Sequence, residues 1–208
     1  VGRQNADLHG NAPDKAAAAL LLIDVINDLE FPEGEQLLRH ALPMARRIVE
    51  LKKRARGLGV PTIYANDNFG RWRSDFNAQV EHCLHDDVRG KPLAELLAPE
   101  DDDYFVLKPK HSAFFSTTLD ILLDYLEVRT LILAGVAGDI CVLFTANEAY
   151  MRDFALIVPS DCVASNSEEE NRHALEQMAR VLKADTRASA ELDLEAVSGR
   201  RVRDSGQP

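Results

Sequence analysis

Ala16-Ala17-Ala18-Ala19-Leu20-Leu21-Leu22-Ile23-Asp24 is the stretch on which the fold turns. Leu20 to Ile23 show no alternation of polar and apolar positions, so both faces are buried, which marks a central strand of a parallel sheet. Outward from it, short apolar runs alternate with helical patterns. Further strands are expected at residues 60–64, 104–107, 130–136 and 155–159, with a last short one at 183–185. A long helix is predicted over 35–58, with Leu38, Leu42, Ala45 and Val49 at spacings of three and four. It is expected to break or restart at Pro43 and to stop at Gly59. Capping boxes at Thr117/Asp120 and Ser167/Glu170 start two more helices, and another, 141–152, follows the fourth strand directly. This alternation gives an α/β fold, a mostly parallel sheet of about six strands with helices on both faces.

The chain has 208 residues, which against ~150 per domain is one domain. Residues 1–15 read as a loose lead-in, 16–190 as the domain, and 191–208 as a tail that frays from Ser198. Acidic residues outnumber basic ones 34 to 24, a net charge of −10, so a nucleic-acid backbone is not an expected partner. The eight-residue run from Ala16 is too short for a bilayer and lacks the flanks of a signal peptide. Three cysteines, Cys83, Cys141 and Cys162, are no disulfide framework, and the cytoplasm is the expected compartment.

Ligands of an open parallel sheet bind beyond the carboxyl ends of its strands. The residues there are Asp24, Asn66-Asp67-Asn68, Lys108 and the turn from Gly135 to Cys141. A carboxylate, an ammonium and a thiol thus emerge at one edge. A thiol in the first turn of a helix meets the positive dipole end, which favours the thiolate. Each residue also has a plain reading: Cys141 as a small buried apolar side chain, Asp24 as a turn cap, Lys108 as a solvated strand end.

Three segments carry a resemblance. Leu22-Ile23-Asp24-Val25-Ile26-Asn27-Asp28, Lys108-Pro109-Lys110-His111-Ser112-Ala113-Phe114 and Gly135-Val136-Ala137-Gly138-Asp139-Ile140-Cys141-Val142 resemble, in order, the signature blocks of the isochorismatase-like cysteine hydrolases. That family includes nicotinamidases, N-carbamoylsarcosine amidases, ureidoacrylate amidases and isochorismatases. The resemblance implies a three-layer α/β/α, Rossmann-like domain and an Asp24-Lys108-Cys141 triad. It also implies a cis peptide between Val136 and Ala137, an oxyanion hole of the Ala137 and Cys141 N–H groups, and a homodimer or homotetramer.

The departures concern specificity. Ile26, Leu29 and Gly138 stand where many members have Gln, Phe and Thr. Nicotinamidases hold a metal with Asp-x-His near the second strand; here Asn68 and Phe69 follow Asp67, so no metal and no cofactor is expected. His82, Cys83 and His85 lack the paired second half of a zinc site. Asp101-Asp102-Asp103 and Glu168-Glu169-Glu170 read as solvated turn and helix-start charge. Asn68, Phe69 and Trp72 are candidate pocket residues, and Phe69-Gly70-Arg71-Trp72-Arg73 either walls the pocket or packs between loops or subunits. No glycine-rich nucleotide motif occurs.

The expected function is hydrolysis of a C–N bond in a small amide or ureido compound through a cysteinyl thioester. Asp24 takes the thiol proton, returns it to the leaving amine and then activates a water, while Lys108 stabilises both charges. Vinyl ether hydrolysis of the isochorismatase type is the alternative chemistry. A non-catalytic ligand- or partner-binding module is the alternative class.

Overall fold

The computed structural model describes residues 15–68 and 75–199. Six strands, β1 (Ala18–Ile23), β2 (Thr62–Asp67), β3 (Tyr104–Lys108), β4 (Thr130–Val136), β5 (Ala155–Ile157) and β6 (Val163–Ala164), form one sheet. Its order is β3-β2-β1-β4-β5, and every pairing is parallel. β5 pairs with the first half of β4, while β6 pairs with its end at Gly135 and Val136. Among the described residues the α-helices are α1 (Gly34–Gly57), α2 (Phe76–His85), α3 (Lys91–Leu96), α4 (Leu119–Tyr125), α5 (Leu143–Tyr150), α6 (Glu168–Val181) and α7 (Leu194–Ser198).

The two-residue period of β1 divides its side chains between two cores. Leu20 and Leu22 pack with α1, α2, α3 and α7 through Ile48, Leu51, Phe76, Leu93 and Leu194. Ala19, Leu21 and Ile23 pack with α4, α5 and α6 through Leu123, Ala146 and Met178. Every residue of β1 is fully buried, as its unbroken apolar run requires. Each leucine so buried contributes roughly 1.5–3 kcal/mol of transfer free energy.

Four expectations are corrected. α1 runs through Pro43 without a break. The proline removes one hydrogen bond, but the stripe Leu37, Ala41, Met44, Ala45, Ile48 and Leu51 stays buried along the whole helix and holds it together. Its stop is as expected. Gly59, at φ 72°, lets its N–H reach Arg56 O and the Val60 N–H reach Ala55 O, the paired bonds of a Schellman cap. The second strand lies later than read, at Thr62–Asp67. The sixth strand is Val163–Ala164, not 183–185, where only Asp185 bridges Ile157. Two residues are too few to show any period.

Finally, the stretch assigned to the tail is packed over 191–199. Leu192 and Leu194 are buried, and Arg54 donates to Ser189 O at 2.8 Å and Leu192 O at 2.9 Å. Residues 1–14 of the lead-in and 200–208 of the tail lie outside the described residues. Among the described residues no helix is long and apolar enough to cross a membrane.

Candidate active site

The strand order reverses between β1 and β4, and a crevice opens there beyond the carboxyl ends. Asp24 is the first residue past β1. Its φ of 52° is left-handed, a conformation aspartate tolerates better than most residues, and its N–H donates to Ala65 O at 3.0 Å. The carboxylate is thereby held sideways under β2, where Oδ1 accepts the Asp67 N–H at 2.7 Å. Lys108 ends β3 two strands away, and its fully buried side chain runs back beneath β2. Its Nζ lies 2.8 Å from Asp24 Oδ2, 3.8 Å from Asp67 Oδ2 and 3.3 Å from Lys110 O, to which it donates.

Cys141 arrives from the other side. Gly138–Val142 form one π-helical turn between β4 and α5, in place of the α-helix start expected at residue 141. Ile140 and Val142 N–H both donate to Ala137 O at 3.1 Å. The Val136–Ala137 peptide is cis. Gly135, at φ 122°, brings β4 so close to β1 that a Cβ there would sit 2.1 Å from Ile23 O. Thr145 ties the cysteine turn to the lysine turn, donating to Cys141 O at 2.7 Å and accepting the Ala113 N–H at 3.0 Å. The outcome is a sulfur 3.6 Å from Lys108 Nζ and 3.8 Å from His111 Nδ1.

The thiol is not pre-ionised. Burial, and then the Asp24 charge, push Cys141 up to about 12, with Lys108 pulling the other way. The helix-start effect expected to favour the thiolate is therefore outweighed. Burial also raises Asp24 above the ordinary carboxylate range against the opposing pull of Lys108. Lys108 is desolvated too, yet Asp24 and the sulfur hold its ammonium above the usual lysine value. Burial and the neighbouring charges thus shift all three groups at once, the pattern of perturbed titration found at functional sites.

A cavity of about 430 Å³ opens onto this group, lined by Asp24, Cys141, His111, Phe31, Leu37 and Ile140 among others. Grooves of about 400 and 630 Å³ elsewhere contain neither Asp24 nor Cys141, so chemistry and not size singles this one out. Of the sequence-predicted pocket residues, Asn68 is buried and continues the β2–β3 ladder through its N–H to Lys108 O, outside the cavity lining. Phe69 and Trp72 lie outside the described residues. His111 and Asn166, both lining the cavity, were missed; His111 sits inside the quoted lysine block, three residues past Lys108.

The set-aside clusters are also placed. Cys83 is buried in the core, and His82 meets Asp86 at 2.6 Å and Asp28 at 3.4 Å. Asp103 is not a solvated turn charge: its carboxylate is buried 2.6 Å from Lys52 Nζ. The three glutamates form the first turn of α6, capped by Ser167.

Gly138 is the departure with a visible reason. A Cβ there would stand 2.4 Å from Asn171 Oδ1 and 2.6 Å from Val163 Cγ1. That space is taken by a linkage in which Asp139 N–H donates to Ser165 Oγ at 3.2 Å and Ser165 Oγ meets Asn171 Oδ1 at 3.3 Å. Gly138→Thr is therefore expected to cost about 1–3 kcal/mol by overpacking. Thermal melting should show a drop of several degrees, and an unchanged midpoint would contradict the packing described.

The isochorismatase-domain family model matches residues 18–189. The uncharacterized isochorismatase family protein YaaI of Bacillus subtilis (strain 168) is 47% identical over 171 residues, covering 82% of this chain and 93% of the relative. Among solved structures, pyrazinamidase/nicotinamidase of Streptococcus mutans UA159 superposes with a TM-score of 0.63 at 29% identity, covering 81% of this chain and 99% of that one. N-carbamoylsarcosine amidase of Thermoplasma acidophilum gives 0.63 at 25% identity, with 85% and 98% covered.

Proposed function

We propose that this chain, which belongs to the isochorismatase family of hydrolases, cleaves a C–N bond of a small amide or ureido compound through a cysteinyl thioester. The observation that carries this reading is one contact set. Lys108 Nζ lies 2.8 Å from Asp24 and 3.6 Å from Cys141 Sγ, and those two residues line a cavity sized for a small molecule. Two similar structures are named as amidases, which supports C–N chemistry over vinyl ether chemistry.

Because the thiol rests protonated, a base must act as the substrate arrives. Asp24, lifted by burial, takes the Cys141 proton, and the sulfur attacks the carbonyl carbon. Ala137 and Cys141 N–H groups receive the oxyanion. Asp24 then passes its proton to the leaving nitrogen, the C–N bond breaks, and an acyl group remains on sulfur. Lys108 balances whichever of Asp24 and Cys141 carries the negative charge. Water then hydrolyses the thioester.

The test is to incubate the protein with a panel of small amides and ureido compounds, quench early, and weigh the intact chain. An acyl mass on Cys141, absent in Cys141→Ala, is expected. Turnover of a vinyl ether with no adduct would replace this reading with its alternative, and inertness toward both would leave a binding module.

Chelation is expected to leave the activity unchanged. The residues after Asp67 are Asn68 and Phe69, neither a histidine, and Asp67 Oδ2 already lies 3.8 Å from the Lys108 ammonium, which repels a second cation. Among the described residues no three His, Cys, Asp or Glu side chains are grouped so as to hold a metal ion. Loss of activity after dialysis against EDTA, restored by zinc or iron, would refute this.

A further inference from the structure

Asp24, Lys108 and His111 all meet the Cys141 sulfur, and of the three only His111 lies outside the triad. Lys108 is fully buried and locked against Asp24. His111 is solvent-facing, lines the cavity, and places Nδ1 3.8 Å from Sγ. Its position is fixed from three directions. Lys110 O accepts from Lys108 Nζ, the Ala113 N–H donates to Thr145 Oγ1 at 3.0 Å, and the imidazole rests on Phe144 with ring centroids 5.4 Å apart. Asp24 lines the same cavity but is buried, with one oxygen on the Asp67 N–H and the other on Lys108. Of these two cavity-lining groups, the imidazole is the exposed one and, among the described residues, has no carboxylate or ammonium partner to hold it from a water.

We propose that His111 is the base that activates this water, so that the proton work is divided: Asp24 serves acylation and His111 serves deacylation. The proposal rests on the thioester reading above and deepens it. His111 Nδ1 accepts a proton from water as the water oxygen bonds to the acyl carbon. The C–S bond breaks, and the sulfur leaves as a thiolate beside Lys108. The imidazolium then returns its proton to that sulfur, so a carboxylic acid and the neutral thiol result and no other reactant is consumed. An imidazole within about one water of the reacting carbon has the reach such a base needs.

The probe is p-nitrophenyl acetate, whose leaving group needs no proton, so that acylation is easy and deacylation limits turnover. The full chain should release nitrophenolate in a burst equal to its Cys141 content, followed by a slow phase. His111→Phe should keep the burst and lower the slow phase by about a hundredfold, with acetylated Cys141 accumulating in the mass spectrum. His111→Ala should regain part of the slow phase on adding free imidazole, a rescue that a merely structural role would not give. A slow phase unchanged in both variants, or one lost together with the burst, overturns the assignment of His111. A wild-type chain without any Cys141-dependent burst overturns the thioester itself, and His111 with it, so the two failures are told apart.

Discussion

Asp24→Asn is expected to remove turnover, by a factor of about 10²–10⁴, while the chain still folds. The factor is that of a positioned general base, and nothing else near the sulfur can replace it on the buried side. Asparagine matches the side-chain shape and also tolerates the left-handed backbone at φ 52°. An oxygen can still accept the Asp67 N–H that Asp24 accepts at 2.7 Å. The charge is lost, however, and Lys108 is then a buried ammonium without its closest carboxylate. Removing one partner of a buried pair costs about 3–5 kcal/mol, so the melting point should fall although the circular dichroism spectrum at room temperature should not change. A folded variant with a near-normal rate would show that Asp24 is not the base. A variant that is inactive and also unfolded would be decided by Asp24→Glu, which restores the charge at a displaced position and should recover stability before it recovers rate.

What was readable in the sequence is what depends on local pattern. The β1 run reports two-sided burial directly, and Asp24, Lys108 and Gly135 to Cys141 stand at strand ends, where an α/β sheet puts its chemistry. The quoted blocks then single these residues out from other strand-end residues. Three kinds of information were not local. Pro43 in α1 reads as a break, because the burial that outweighs it comes from the sheet. β6 pairs through two residues with the end of β4, a tertiary contact with no period to detect. Lys108 is singled out by the resemblance alone, since its own stretch reads equally as a solvated strand end and does not record that its side chain turns toward Asp24. The same holds for the sulfur. A helix start favours a thiolate, but burial and the Asp24 charge, both supplied by distant segments, push it the other way. His111 stands within the lysine block, yet only the structure shows which side of its turn faces Cys141.

Lys108→Ala is expected to slow alkylation of Cys141 and to destabilise the fold at once, and the two effects share one cause. Lys108 is the cation that opposes both burial and Asp24 at the sulfur, 3.6 Å away. Without it the thiolate loses its nearest favourable charge, so the thiol must rise from a value already pushed up to about 12. An inflection so high is out of practical range, but the alkylation rate at a fixed pH below it tracks the thiolate fraction. Each further unit, about 1.4 kcal/mol between protonation states, lowers that rate tenfold. Iodoacetamide kinetics near pH 9, with Cys83 and Cys162 replaced by serine, should therefore slow in the variant. Asp24 responds in parallel: with the lysine gone, burial loses its largest opponent and lifts it further above the carboxylate range. It then tends to hold a proton, which weakens its own repulsion of the thiolate, so the two titrations belong to the pair and not to either residue. Asp24→Asn in the same assay separates these contributions. It removes the opposing charge while keeping Lys108, so alkylation should speed up, and the double variant should fall between the two single ones. Alkylation unchanged or faster in Lys108→Ala would mean that the ammonium does not act on this sulfur, and Lys110, two residues along the same turn, would be the lysine to replace next.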